Sequence, residues 1–67
     1  MLNGKKLREK RFQKGWTMRE FSLRSGVALS RVQDYEQGKR DNLELRSLLK
    51  MCNVLGCRVD DVIDYTI

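Results

Sequence analysis

Histidine and proline are both absent from this chain of 67 residues, and cysteine occurs only twice, at Cys52 and Cys57. Without histidine the two thiols stand alone, so metal-ligand spacing is missing and there is no disulfide framework. The same absence removes the commonest general base. With no carboxylates clustered in an apolar pocket and no glycine-rich loop to cradle a phosphate, an enzyme is not expected, and neither is a metal, a cofactor or a small-molecule ligand. No apolar run approaches the ~18 residues that span a bilayer, and the basic Lys5-Lys6 start leads into no signal-type apolar stretch. No membrane partner is therefore expected. Two cysteines in such a chain suit a reducing cytoplasm, with Cys52 as a small buried hydrophobe. Only five glycines are present and no alternating or β-branched run reaches strand length. An all-α fold is the economical reading, a single domain over 1–67 without repeats, linkers or low-complexity segments.

What the chain does have is positive charge in one half. The net charge is +5 and the pI about 9.6. Through Arg40 there are eleven Lys/Arg against four acids, or +7, and from Asp41 onward three against five, or −2. Such a balance favours an anionic partner, whether nucleic acid, an acidic membrane or an acidic protein, and assigns a binding half and a solvated or partner-facing half.

Punctuation along the chain marks five helices. The first covers about 5–14, with Leu7 and either Phe12 or Arg11 turned inward, and Gly15 ends it with a left-handed cap. Thr17 and Glu20 form a T-x-x-E capping box for the second helix, and Trp16 stapled on Phe21 sets its entry. That helix stops before Gly26, and Val27 is an inward-pointing turn residue. The third helix uses Val32 and Tyr35 as core contacts and stops at Gly38. Its start is open: Ala28 is a poor N-cap, whereas Ser30 with Gln33 offers an S-x-x-Q box one turn later. Asp41 or Asn42 caps a fourth helix whose stripe is Leu45, Leu48, Leu49, Cys52 and Leu55, closed by Gly56. A short fifth helix has Val59, Val62 and Ile63 apolar and Asp60, Asp61 and Asp64 solvated, so that helices four and five occupy 43–65.

Residues 17–38 thus read as two short helices joined by a tight turn at Gly26-Val27, the layout of a helix-turn-helix whose second helix enters the major groove of duplex DNA. At these residues the chain resembles the Cro/CI-type family, the phage-repressor-like or xenobiotic-response-element helix-turn-helix. The matching pieces are L-R-x-x-R at Leu7, Arg8 and Arg11, K-G-W-T over 14–17, G-V at Gly26 and Val27, V-x-x-Y-E-x-G-K over 32–39, and L-x-x-L-G in looser form from Leu48 to Gly56. They run in order over nearly the whole chain.

The resemblance implies a compact five-helix, lambda-repressor-like domain that binds operator DNA as a two-fold dimer. Arg11 and Glu36 match a pair that bridges the first helix to the end of the third, a structural role. Thr17 matches the position where a helix N-terminus meets a phosphate, and Gln37, Lys39 and Arg40 match the loop that touches the DNA backbone. Exposed cations at a helix end release counterions whatever the family. With Val32 and Tyr35 inward, Leu29, Ser30 and Asp34 lie nearest the groove axis, flanked by Arg31 and Gln33. Arg31 suits the guanine O6/N7 edge, Gln33 adenine, Leu29 a thymine methyl and Asp34 cytosine N4. Met18 departs from the family, standing where a phosphate-clamping glutamine is common. Met18 and Leu29 otherwise read as extra apolar packing or a partner surface.

The function expected from this is a DNA-binding transcriptional regulator, a small repressor, forming a homodimer through the fifth helix, the tail Tyr65-Thr66-Ile67 and neighbouring parts of the fourth. With no room for a ligand-sensing domain, control would come from concentration, a partner or dimerisation. Two other readings are a protein-binding helix-turn-helix module, antitoxin-like or antirepressor-like, and a basic helical domain that coats nucleic acid without sequence preference.

Overall fold

Asn3 opens the first helix because its side chain answers two of the N–H groups that every helix start leaves unpaired. Its Oδ1 accepts from the Lys5 and Lys6 amides at 3.0 and 3.2 Å. In the computed structural model, which describes residues 2–39 and 44–64, the elements are α1 (Gly4–Gln13), α2 (Met18–Ser25), α3 (Leu29–Gln37), α4 (Leu45–Leu55) and a 3₁₀ turn (Val59–Asp61). The all-α expectation holds, with four α-helices and one 3₁₀ turn in place of five helices. Among the described residues no helix is long and apolar enough to cross a membrane.

The core is made from every element: Leu7 of α1, Phe21 of α2, Val27 of the turn, Val32 and Tyr35 of α3, Leu48, Met51, Cys52 and Leu55 of α4, and Val62 after the 3₁₀ turn. In a domain this small each is needed, since little other apolar area exists to offset chain entropy. Helix α3 packs against both α1 and α2, and α4 packs against α2. Burial pushes the Cys52 thiol up to about 12, with neighbouring Cys57 adding to the shift. Cys52 is thus the small hydrophobe that the sequence implies, and both cysteines are free thiols.

One open alternative is decided here and two expectations are corrected. Arg11, not Phe12, turns inward from α1, and Phe12 is 61% exposed with the Arg11 guanidinium over its ring at 4.6 Å. The stripe on α4 is rotated: Ser47, Leu48, Met51, Cys52 and Leu55 face the core while Leu45 and Leu49 are exposed. The apolar surface of α4 is wider than its contact, and Met51 and Ser47 take the inner edge. The fifth helix is only the 3₁₀ turn, in which Asp61 Oδ2 accepts from the Arg58 amide at 2.9 Å. After it the backbone turns away from helical pairing, because the Val62 carbonyl accepts from the Asn3 amide at 2.7 Å and Ile63 bridges Leu2 in antiparallel fashion. The proposed caps Asp41 and Asn42, the tail Tyr65-Thr66-Ile67 and Arg40 lie outside the described residues; Glu44 occupies the N-cap of α4.

The two ends of the fold are tied together by side chains as well. Asp64 accepts from Asn3 Nδ2 at 2.6 Å and from Lys6 Nζ at 2.8 Å. These two bonds, the lysine's first, hold the Asp64 carboxyl below its usual range.

Gly4 is the residue that lets α1 sit so close to α3. A Cβ there would lie 2.4 Å from the Glu36 carbonyl oxygen and 2.6 Å from that of Tyr35. Both obstacles are backbone, so relief requires the helices to part. Helix propensity alone predicts that Gly4→Ala stabilises by up to about 1 kcal/mol. The packing predicts the reverse, a loss of about 1–3 kcal/mol from overpacking, to be read as a lowered urea midpoint.

Candidate nucleic-acid interface

The turn between α2 and α3 is held by the short side chains beside it. Gly26 takes a left-handed φ of 76°, which a side-chain-bearing residue adopts only with strain. Ser22 Oγ donates to the Val27 carbonyl at 2.6 Å, and the Val27 amide donates to Ser25 Oγ at 3.2 Å. Val27 itself is buried. The hydroxyls of Ser22 and Ser25 are thereby used inside the turn, and they hold α2 against the start of α3.

Helix α3 begins at once after this turn. The Arg31 and Val32 amides both bond to the Ala28 carbonyl at 3.0 Å, so the later start at Ser30 is overturned. Burying Val27 and Val32 together closes the first turn at Ala28, whatever the better cap further on. Ala28 supplies no side-chain cap, and Ser30 lies exposed in the first turn. At the other end the Gly38 and Lys39 amides close onto α3, Lys39 on the Asp34 carbonyl at 2.9 Å.

Around this frame the candidate residues take distinct places. Val32, Tyr35 and Glu36 are buried; Leu29, Arg31, Gln33 and Asp34 are half-buried; Ser30, Gln37 and Lys39 are exposed. Thr17 caps α2 as the sequence predicts, its Oγ1 accepting from the Glu20 amide at 3.1 Å, with Glu20 Oε1 returning to the Thr17 amide at 3.4 Å. The Thr17 hydroxyl is therefore engaged in capping. Trp16 stacks on Phe21 with ring centroids 6.3 Å apart, the expected staple, and the Arg24 guanidinium lies 4.9 Å over Trp16. Met18 is half-buried against the core, which is the packing alternative for that residue.

Arg11 and Glu36 form the buried pair that the motif suggests. Arg11 Nε and Nη2 donate to the two Glu36 oxygens at 2.8 and 2.9 Å, and Nη1 donates to the Trp16 carbonyl at 2.7 Å. Their side chains are 7% and 3% exposed. One guanidinium thus holds α1, the end of α3 and the entry to α2. Sequence reasoning missed a second pair: Arg31 Nη1 lies 2.7 Å from Glu44 Oε2. No local spacing announces it, since the partners are thirteen residues apart across the α3–α4 connection. Among the described residues no group of three His, Cys, Asp or Glu could hold a metal ion.

A buried turn locking two short helices, with the second helix uncapped and Ser30 exposed in its first turn, defines a helix-turn-helix domain. The chain belongs to the Cro/CI-type helix-turn-helix family, whose model (Helix-turn-helix) matches residues 5–62. That family supplies the DNA-binding domain of transcriptional regulators. Among solved structures the chain is similar to the restriction-modification controller protein C.AhdI from Aeromonas hydrophila, with 32% identity, a TM-score of 0.82, and 90% of this chain and 89% of that chain covered. It is also similar to a chain of the SinR protein/SinI protein complex, with 28% identity and a TM-score of 0.87. That match covers 96% of this chain but spans only 61% of the other. No curated protein matches.

Removing one partner of the buried pair strands the other. Arg11→Ala leaves the Glu36 carboxylate and the Trp16 carbonyl without the guanidinium, at a cost of about 3–5 kcal/mol. Small domains have total stabilities on the order of 5 kcal/mol, so this variant should be largely unfolded by circular dichroism. Arg11→Met combined with Glu36→Leu should lose less than the single change and keep a cooperative melt.

Proposed function

We propose that the chain is a sequence-specific repressor that binds operator DNA as a homodimer with α3 in the major groove. The observation that carries this reading is the locked turn at Gly26-Val27. It holds α3 rigidly against the core through Val32 and Tyr35 while leaving Ser30 exposed at one end and Gln37 and Lys39 at the other. Backbone contacts then come from the N-terminus of α2 at Thr17 and from Gln37, Lys39 and Arg40, and set the register. Bases are read by Leu29, Ser30, Arg31, Gln33 and Asp34. The α2 terminus acts through its backbone N–H groups and dipole rather than through the Thr17 hydroxyl, which already serves as a cap. Occupying the operator blocks the polymerase.

One short helix reads few base pairs, so affinity calls for two half-sites. Leu45 and Leu49, 65% and 51% exposed and one helical turn apart on α4, support a seam on that helix, continuing toward the 3₁₀ turn and the tail. The likeness to a controller protein supports the regulatory role. Action in the cytoplasm, beside the DNA and in a milieu that keeps Cys52 and Cys57 as thiols, follows from the same reading. The protein-binding alternative loses half of its surface, because Met18 packs on the chain's own core.

Selection of bound sites from random duplex DNA tests this directly. The expected outcome is a palindrome with half-sites about 34 Å apart, one helical turn; recovery of unrelated sequences overturns the reading. Lys39→Ala should weaken binding to all sequences alike and reduce the slope of log K against log salt by about 1. An unchanged slope removes Lys39 from the backbone contacts.

A further inference from the structure

We propose that Glu44 is a positioning residue for base recognition: it aims the Arg31 guanidinium along the flank of α3 and so sets the base pair preferred there. The proposal rests on the placement of α3 in the major groove argued above.

Two independent observations meet at Glu44. The first is the contact itself, Arg31 Nη1 to Glu44 Oε2 at 2.7 Å, with side chains 41% and 50% exposed. The second is what the carboxylate leaves undone. Glu44 is the N-cap of α4, where a carboxylate gains by meeting the free N–H groups and the positive end of the dipole. It makes no side-chain cap bond there. Its charge is turned away from its own helix and onto the recognition helix.

The geometry of the contact suits aiming rather than blocking. Arg31 uses one nitrogen, Nη1, for Glu44. A guanidinium has five N–H donors in a rigid fork, so the edge made by Nε and Nη2 stays available. Two parallel N–H groups are what the guanine O6/N7 edge requires. A long, flexible side chain gains in selectivity when one end is held before the base arrives. A carboxylate bonded to one nitrogen restrains where the fork can lie and leaves its reading edge open. Arg31 is the third residue of α3, on the flank of the groove-facing residues, where an unheld arginine would find a phosphate as easily as a base.

Site selection and binding assays with the parent, Arg31→Ala, Glu44→Ala, Glu44→Asp and the Arg31→Ala/Glu44→Ala double variant test this. Arg31→Ala should lose about tenfold preference at one base pair of each half-site, the discrimination expected of a good bidentate contact. Glu44→Ala should lose most of that preference at the same base pair, and the double variant should lose no more than Arg31→Ala. Glu44→Asp keeps the charge but shortens the reach, and should behave as Glu44→Ala. Thermal melts that overlay the parent's place these effects in recognition rather than folding. The proposal is overturned if Glu44→Ala changes affinity for all sequences alike with the preference intact, since Glu44 then acts only as a charge near phosphates. An Asp variant that reads as the parent does, or an Arg31→Ala that alters no position, overturns it equally. A parent that selects no sequence overturns the operator reading as well, which separates the two failures.

Discussion

The arrangement of this domain depends on one guanidinium. Arg11 sits in the last turns of α1, bonds both oxygens of Glu36 at the end of α3, and takes the Trp16 carbonyl just before α2. Two charges brought out of water cost several kcal/mol each, and the pair offsets this only because its hydrogen bonds are well directed. An apolar pair of similar volume would serve stability about as well. It would not fix three chain segments at once. The value of the pair lies in direction: it sets the tilt of α3 relative to α1, and that tilt decides which α3 residues look outward. Gly4 completes the constraint, because without a Cβ the start of α1 can lie against the Tyr35 and Glu36 carbonyls.

Signals that act over three or four residues were legible in the chain. The Thr17–Glu20 box, the Trp16–Phe21 staple and the glycine ends of α2, α3 and α4 all stand where spacing places them. The failures are tertiary. The stripe on α4 was wide enough to allow two inner faces, and contact with α2 selects the one that buries Met51 and leaves Leu45 and Leu49 outside. The fifth helix yields to the pairing of Ile63 with Leu2, a contact sixty-one residues apart. The start of α3 is set by two buried valines against a local capping preference. On α3 the inward register of Val32 and Tyr35 was readable, while the partner of Arg31 was not, since nothing local links it to Glu44.

Charge asymmetry between the halves takes on a different meaning in the fold. Two acids of the negative half cross over to cations of the positive half: Asp64 to Lys6, and Glu44 to Arg31. Both bridges are exposed and screened by solvent, so they add little to stability. Their consequence is for the field rather than the fold. A lysine or arginine already neutralised by a fixed carboxylate releases few counterions when DNA approaches, whereas an exposed one such as Lys39 releases its full share.

Affinity and selectivity are thereby assigned to different cations of the same helix-turn-helix. In the proposed complex Lys39, exposed beyond the end of α3, supplies attraction that any duplex satisfies. Arg31, half-buried and held by Glu44, gains little from a phosphate and most from a partner that meets its remaining edge at a fixed angle. Leu29 and Ser30 beside it, which the proposal turns toward the groove, carry no charge and would contribute shape and one hydroxyl. A reading head of this composition would bind weakly if it depended on base contacts alone, which is why the proposed function joins the basic rim and a second half-site in one mechanism.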